Sequence, residues 1–264
     1  MKNLPHLVII EPHADDAALS VSGRLLTNLG KMRVTIITVT GWSNTSLDSK
    51  LKYGDRGAKA ISNIRRAESQ LFAAKLGADH LQLEELDAPL RFKSSELWTK
   101  RHTLALWQDF WIWQRSGPSQ AEIKELRDLL GTMLKGLRPD MLWIPSGIGR
   151  HIDHLRVRNA CLDLIKKERK HFRNCSIELY HDFPYSLVYD SDQTRAIKSE
   201  IIQYGFNVRT KTHDISRFRN QKRDLLTIFR SQFTRKKVLD LMRLDAKMNS
   251  GCLRERFFQL IKNG

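Results

Sequence analysis

Short apolar runs and longer amphipathic stretches alternate along this chain. Leu7-Val8-Ile9-Ile10 reads as a strand, and a helix follows over residues 17–29. Val34-Thr35-Ile36-Ile37-Thr38-Val39-Thr40 is rich in β-branched side chains and predicts a second strand. A helix over 59–76 ends at Gly77, a residue suited to the left-handed position just past a helix. Leu81-Gln82-Leu83 alternates as a short strand. A helix over 123–137, a strand over 141–144, a helix over 155–169 and a strand over 176–180 repeat the pattern. A helix near 195–204 and basic helices from Arg217 onward complete it. Such alternation predicts an α/β fold, a mostly parallel, twisted sheet with helices on both faces.

At 264 residues the chain can bury one full core, so a single domain over 1–264 accounts for it. Within it, 92–120 reads as a Trp-rich insertion carrying Trp98, Trp107, Trp111 and Trp113, and 207–264 as a basic, mainly helical C-terminal part. The spacing of Trp107, Phe110 and Trp111 favours packing over a ligand platform.

The formal charge of +16 adds a second theme. Much of it lies in the last third, at Arg217, Arg219, Lys222, Arg223, Arg230, Arg235, Lys236 and Lys237. That balance suits an anionic partner such as a phosphorylated sugar or an anionic membrane surface touched peripherally, and equally the plainer reading of a solvated basic face. No zinc-finger, RNP-type or helix-turn-helix pattern stands out, so nucleic acid is not the expected partner. Cys161, Cys175 and Cys252 are odd in number and widely spaced, which suits reduced thiols. With no signal-peptide core and no apolar stretch of membrane-span length, a cytoplasmic location is expected. The pattern carries no sign of an oligomeric state.

The chemistry concentrates at two strand ends. Pro12-His13-Ala14-Asp15-Asp16 follows the first apolar run, and His151-Ile152-Asp153-His154 follows Met141-Leu142-Trp143-Ile144-Pro145 by a few residues. In open α/β sheets ligands bind past the carboxyl ends of strands. His13, Asp16 and His154 make a donor set that zinc accepts while keeping a position open for water; ferrous iron or another divalent ion is the alternative. Asp15 is then available as general base. His151 can stabilise an oxyanion or protonate a departing amine, as an imidazolium held in orientation by Asp153. The plainer reading makes Asp15 or Asp16 a helix cap. Two clusters at two strand-to-helix junctions favour the metal site.

These paired motifs resemble the PIG-L or LmbE-like family of zinc-dependent N-acetylglucosaminyl deacetylases. Weaker similar stretches are Arg65-Arg66-Ala67-Glu68, Leu86-Asp87-Ala88-Pro89-Leu90-Arg91 and His181-Asp182-Phe183-Pro184-Tyr185. The resemblance implies a Rossmann-like fold and metal-assisted removal of an N-acetyl group from an N-acetylglucosamine-type sugar of a glycoconjugate or a nucleotide- or lipid-linked saccharide. It implies His13, Asp16 and His154 as zinc ligands, Asp15 as base and His151 as oxyanion stabiliser. It also suggests Arg65 and Asp87 for the sugar hydroxyls, although Arg65 could equally pair with Glu68 along a helix. The chain departs from many members at Ala14, Ala17 and Ile152. It also has Gly149-Arg150 where some members carry a Tyr, which leaves Arg150 as a candidate for an anionic substrate. Two readings compete: an amidase on a related sugar conjugate, and a non-catalytic anion-binding protein on the same scaffold.

Overall fold

The computed structural model describes residues 4–46, 55–91, 117–188 and 191–261. Most of the expected Trp-rich insertion, 92–116, therefore lies outside the described residues. The strands are β1 (His6–Glu11), β2 (Arg33–Trp42), β3 (Asp79–Leu86), β4 (Met141–Pro145), β5 (Ser176–Tyr180), β6 (Asn207–Asp214) and β7 (Arg254–Ile261). Between them lie α1 (Asp16–Thr27), α2 (Asp55–Lys75), α3 (Ala88–Arg91), α4 (Gln120–Leu137), α5 (Ile152–Lys167), α6 (Tyr185–Val188), α7 (Ser191–Gln203), α8 (Arg219–Leu226) and α9 (Arg235–Met248). One sheet runs in the order β3-β2-β1-β4-β5-β7-β6.

β1 pairs in parallel with β2 on one side and with β4 on the other. The chain thus winds outward from β1 in two directions, and the crevice between the loops after β1 and β4 is the switch point where such sheets bind ligands. Both sequence clusters sit there.

Alternation along β1 builds the two layers. Leu7 and Ile9 enter one core with Ala17, Leu19 and Phe72, while Val8 and Ile10 enter the other with Leu126, Leu130 and Leu155. Helices α1, α2, α8 and α9 therefore cover one face, and α4, α5 and α7 the other. Local chemistry agrees with the boundaries. Ser119 and Glu122 form a reciprocal capping box at the start of α4. Gly77 takes a left-handed φ of 61° just past α2, as its position in the sequence predicts.

The C-terminal part departs from a mainly helical reading, because it adds two strands to the sheet: β7 pairs antiparallel to β5, and β6 pairs antiparallel to β7. β6 is an edge strand whose charged Arg209 and Lys211 blunt an exposed border. β7 lies between β5 and β6, so Phe257 and Phe258 are both buried and the usual alternation is lost.

This part also anchors α1. Lys222 is buried, donating to the Leu19 carbonyl at 2.7 Å and to Glu255 at 2.6 Å. The Glu255 carboxylate accepts the Gly23 and Arg24 N–H groups, each at 2.8 Å. Gly23 is required because a Cβ there would lie 2.5 Å from Ile215. Lys222→Met is expected to leave Glu255 with no counter-charge and to destabilise the fold by about 3 kcal/mol. Denaturant midpoints measure this, and a loss below about 1 kcal/mol would contradict the assignment.

Candidate active site

The turn after β1 is pinned before any site residue is reached. Thr40 donates its N–H and its hydroxyl to the Pro12 carbonyl at 3.0 and 2.8 Å. Glu11 is wholly buried and accepts from the Ala17 N–H at 2.8 Å and from the Thr38 hydroxyl at 2.6 Å. Burial pushes its carboxyl up to about 8 against those two bonds.

Asp15 occupies the N-cap position of α1, yet its side chain makes no capping bond. Instead Oδ1 lies 3.4 Å from the Arg65 guanidinium. Burial and the charge of Asp16 raise the Asp15 pKa, and Arg65 opposes them. The alternative helix pairing of Arg65 with Glu68 is not formed, and Glu68 instead accepts from the Ser231 N–H and hydroxyl.

Asp16 Oδ2 accepts the His13 N–H at 2.8 Å and sits 3.2 Å from His13 Nδ1 and 3.4 Å from His154 Nε2. Donors bound tetrahedrally to zinc lie about 3.3–3.4 Å from one another. The far nitrogen of each imidazole meets another carboxylate: His13 Nε2 is 3.1 Å from Asp153, and His154 Nδ1 is 2.7 Å from Asp182. Such carboxylate–histidine pairs fix the ring that faces a metal. His154 Nε2 is buried without a hydrogen bond, which is costly unless something else uses its lone pair. The three imidazoles of His13, His151 and His154 each place a nitrogen within 4.8 Å of the others. These residues fit a divalent metal, and Asp16 Oδ2 lies within 3.4 Å of a nitrogen of both His13 and His154.

Electrostatics supports the same fit. Burial works against charge on His13, but Asp153 and Asp16 outweigh it and raise its pKa to about 10. Burial likewise pushes Asp16 up, yet His154 and His13 hold it at about 2. The pocket is built to accept positive charge.

His151 caps α5, its Nδ1 accepting the Asp153 N–H at 3.3 Å, so the neutral tautomer carries its proton on Nε2. Burial, with the His13 charge beside it, lowers the His151 pKa to about 3. A neutral His151 keeps an Nε2–H that can donate a hydrogen bond. Asp153 differs from expectation: it lies 4.0 Å from His151 Nδ1 but bonds His13, Arg91 and the Ala88 N–H. It therefore supports the His13 ring more closely than it supports His151.

Arg65 and Asp87 are both brought to the cluster. Asp87 is 2% exposed, and burial raises its pKa to about 6 within the fields of Asp153, His13 and Arg65. Arg150 is not drawn in; it pairs with Glu200 at 2.6 Å.

Asp182, Arg91 and Tyr185 are additions to the sequence-derived set. Asp182 Oδ2 accepts from the Ser146 hydroxyl and from the Gly147 and Ile148 N–H groups, tying the β4 loop to His154. A carboxylate two residues past the apolar strand β5 was its signal. Tyr185 places its ring 5.6 Å from that of His154 and leaves no room for a Cβ at Gly149, which would lie 2.5 Å away. Asp182→Asn is expected to weaken metal binding about 10–100-fold, because the support on His154 Nδ1 is lost. Competition with a chelating dye measures this, and unchanged affinity would remove Asp182 from the role.

The fold and the site together define a Rossmann-like α/β protein with a carboxylate-backed His/Asp metal pocket at its switch point. Residues 8–165 match the family described as PIG-L: GlcNAc-PI de-N-acetylase, and the chain belongs to that family. It is 27% identical over 157 residues to the 2'-N-acetylparomamine deacetylase of Streptomyces fradiae, a match covering 58% of this chain and 50% of that protein. The chain thus spans about half the length of the curated relative it matches. The teicoplanin deacetylase Orf2, in a zinc-inhibited form, superposes with a TM-score of 0.70 at 19% identity over 98% of both chains. The N,N'-diacetylchitobiose deacetylase of Pyrococcus horikoshii gives 0.62 at 19% identity, covering 98% of this chain and 85% of that one. At these identities the two structures show a shared fold. Among the described residues no helix is long and apolar enough to cross a membrane.

Proposed function

We propose that this protein removes the N-acetyl group from an N-acetylglucosamine-type sugar within a glycoconjugate or a nucleotide- or lipid-linked saccharide. The observation that carries it is the donor set of His13 Nδ1, Asp16 Oδ2 and His154 Nε2, at metal-ligand spacing with buried Asp15 beside it. One fold hosts many reactions, so the site and not the topology bears the weight. The deacetylases with related sequence or fold support the choice of bond.

Zinc is the proposed metal; when bound it would polarise the acetyl carbonyl and make a water nucleophilic near neutral pH. Asp15 takes the proton of that water, and its raised pKa suits a carboxyl that must hold a proton before passing it to the departing amine. His151 donates its Nε2–H to the developing oxyanion. Asp153 and Asp182 hold the two ligand imidazoles in orientation. Arg65 and Asp87 bind the sugar hydroxyls, with Arg65 moving its hydrogen bond between Asp15 and the sugar.

Incubating the metal-loaded protein with N-acetylglucosaminides, including nucleotide- and lipid-linked ones, is expected to release acetate and free amine in equal amounts. Fully loaded protein that released acetate from none of them would overturn the proposal.

A further inference from the structure

The positive charge of the C-terminal part is engaged unevenly. Lys222 is buried on Glu255, Arg219 donates to the Gly251 carbonyl, and Arg217 lies over the Phe218 ring. Arg223 pairs with Asp224. Arg230 and Arg235 are exposed, and among the described residues neither makes an ion pair or a side-chain hydrogen bond. Both line, together with Arg223, a cavity of about 460 Å³ between the end of α8 and the start of α9. Phe233 and Thr227 also line it, and Asp224 is the one carboxylate among its lining residues.

The cleft lining carries three guanidinium groups to one carboxylate, which Arg223 already engages, and like charges brought near one another favour an anion between them. The first turn of α9 has no acidic residue and begins Arg235-Lys236-Lys237, so no carboxylate of that turn neutralises Arg235. Guanidinium forks match the paired oxygens of a phosphate better than they match a single-point acceptor. The cleft is also fastened to the active site. Ser231, between Arg230 and Phe233, bonds Glu68 on α2 at 2.8 and 2.6 Å. Arg65, three residues earlier on that helix, meets Asp15.

We infer that this cleft binds a phosphate group, a mono- or diester whose oxygens are held by Arg230 and Arg235 with Arg223 beside them. The phosphate belongs either to a soluble phosphosugar or to a lipid headgroup, and two probes separate these sources. Calorimetry compares N-acetylglucosamine 1-phosphate with N-acetylglucosamine. Co-sedimentation compares phosphatidylcholine vesicles containing phosphatidylglycerol with vesicles of phosphatidylcholine alone.

The wild-type chain is expected to prefer at least one phosphate-rich probe over its counterpart. The double variant Arg230→Ala, Arg235→Ala is expected to bind that probe about tenfold or more weakly. Both positions are exposed, so its unfolding temperature is expected to match the wild type. Preference for the phosphosugar assigns the soluble source, and preference for the charged vesicles assigns the headgroup. Equal binding by wild type and double variant, or no preference for either phosphate probe, would overturn the inference. Binding is read without turnover, so a failure to release acetate would count against the deacetylase reading alone.

Discussion

Asp15→Asn is expected to keep the metal and lose about 10²–10⁴-fold in turnover. The carboxylate is buried at the N-cap of α1, makes no capping bond, and touches Arg65 at 3.4 Å. Asparagine keeps the shape and an oxygen for Arg65 but cannot accept a proton. The proposed ligands His13, Asp16 and His154 are untouched, and removing the negative charge next to Asp16 relieves a repulsion. Metal analysis should therefore match the wild type, and the unfolding temperature should move little. Turnover within tenfold of the wild type, at full metal content, would take the general-base role from Asp15.

His154→Ala is expected to empty the site. This imidazole is 1% exposed, with Nε2 toward Asp16 and Nδ1 on Asp182. Its loss removes one of the three proposed protein donors and also the positive field that, with His13, holds Asp16 at low pKa. Metal content after gel filtration should fall below about a tenth of the wild-type value, as expected when an open three-donor site loses a donor. Added zinc should not restore turnover. The exposed His171 supplies the control, because His171→Ala should leave metal and turnover unchanged. Retention of metal by His154→Ala would mean that His151 is a ligand, since it is the imidazole that remains in the cluster beside His13.

These two expectations differ in how much of their basis could be read from the chain. The β-branched run at 34–40 and the apolar run at 7–10 became β2 and β1, because buried parallel strands need little more than continuous apolar sequence. β6 and β7 were not legible as strands. One lies at an edge with charged side chains, and the other is buried on both faces beside a basic stretch, so neither shows plain alternation. Within the site, the proposed division of labour between Asp15 and Asp16 rests on their order at a strand end. The assignment of Asp153 to His151 followed from proximity in sequence. It gave way to the fold, which brings His13, 140 residues away, to 3.1 Å.

Sequence alone determined that this is an α/β protein with His13, Asp15, Asp16, His151 and His154 at two strand ends, because those residue types are unaffordable there without a metal or a reaction. Tertiary structure decided what supports them. Asp182, Asp153 and Arg91 come from loops and helices distant in the chain, and only the parallel pairing of β1 with β4 closes the two clusters on one another. It also decided where the basic charge goes: Lys222 into the core against Glu255, Arg150 onto Glu200, and Arg230 with Arg235 to the rim of an open cleft. A count of charges carries no such information, because burial and pairing are set by packing across the chain.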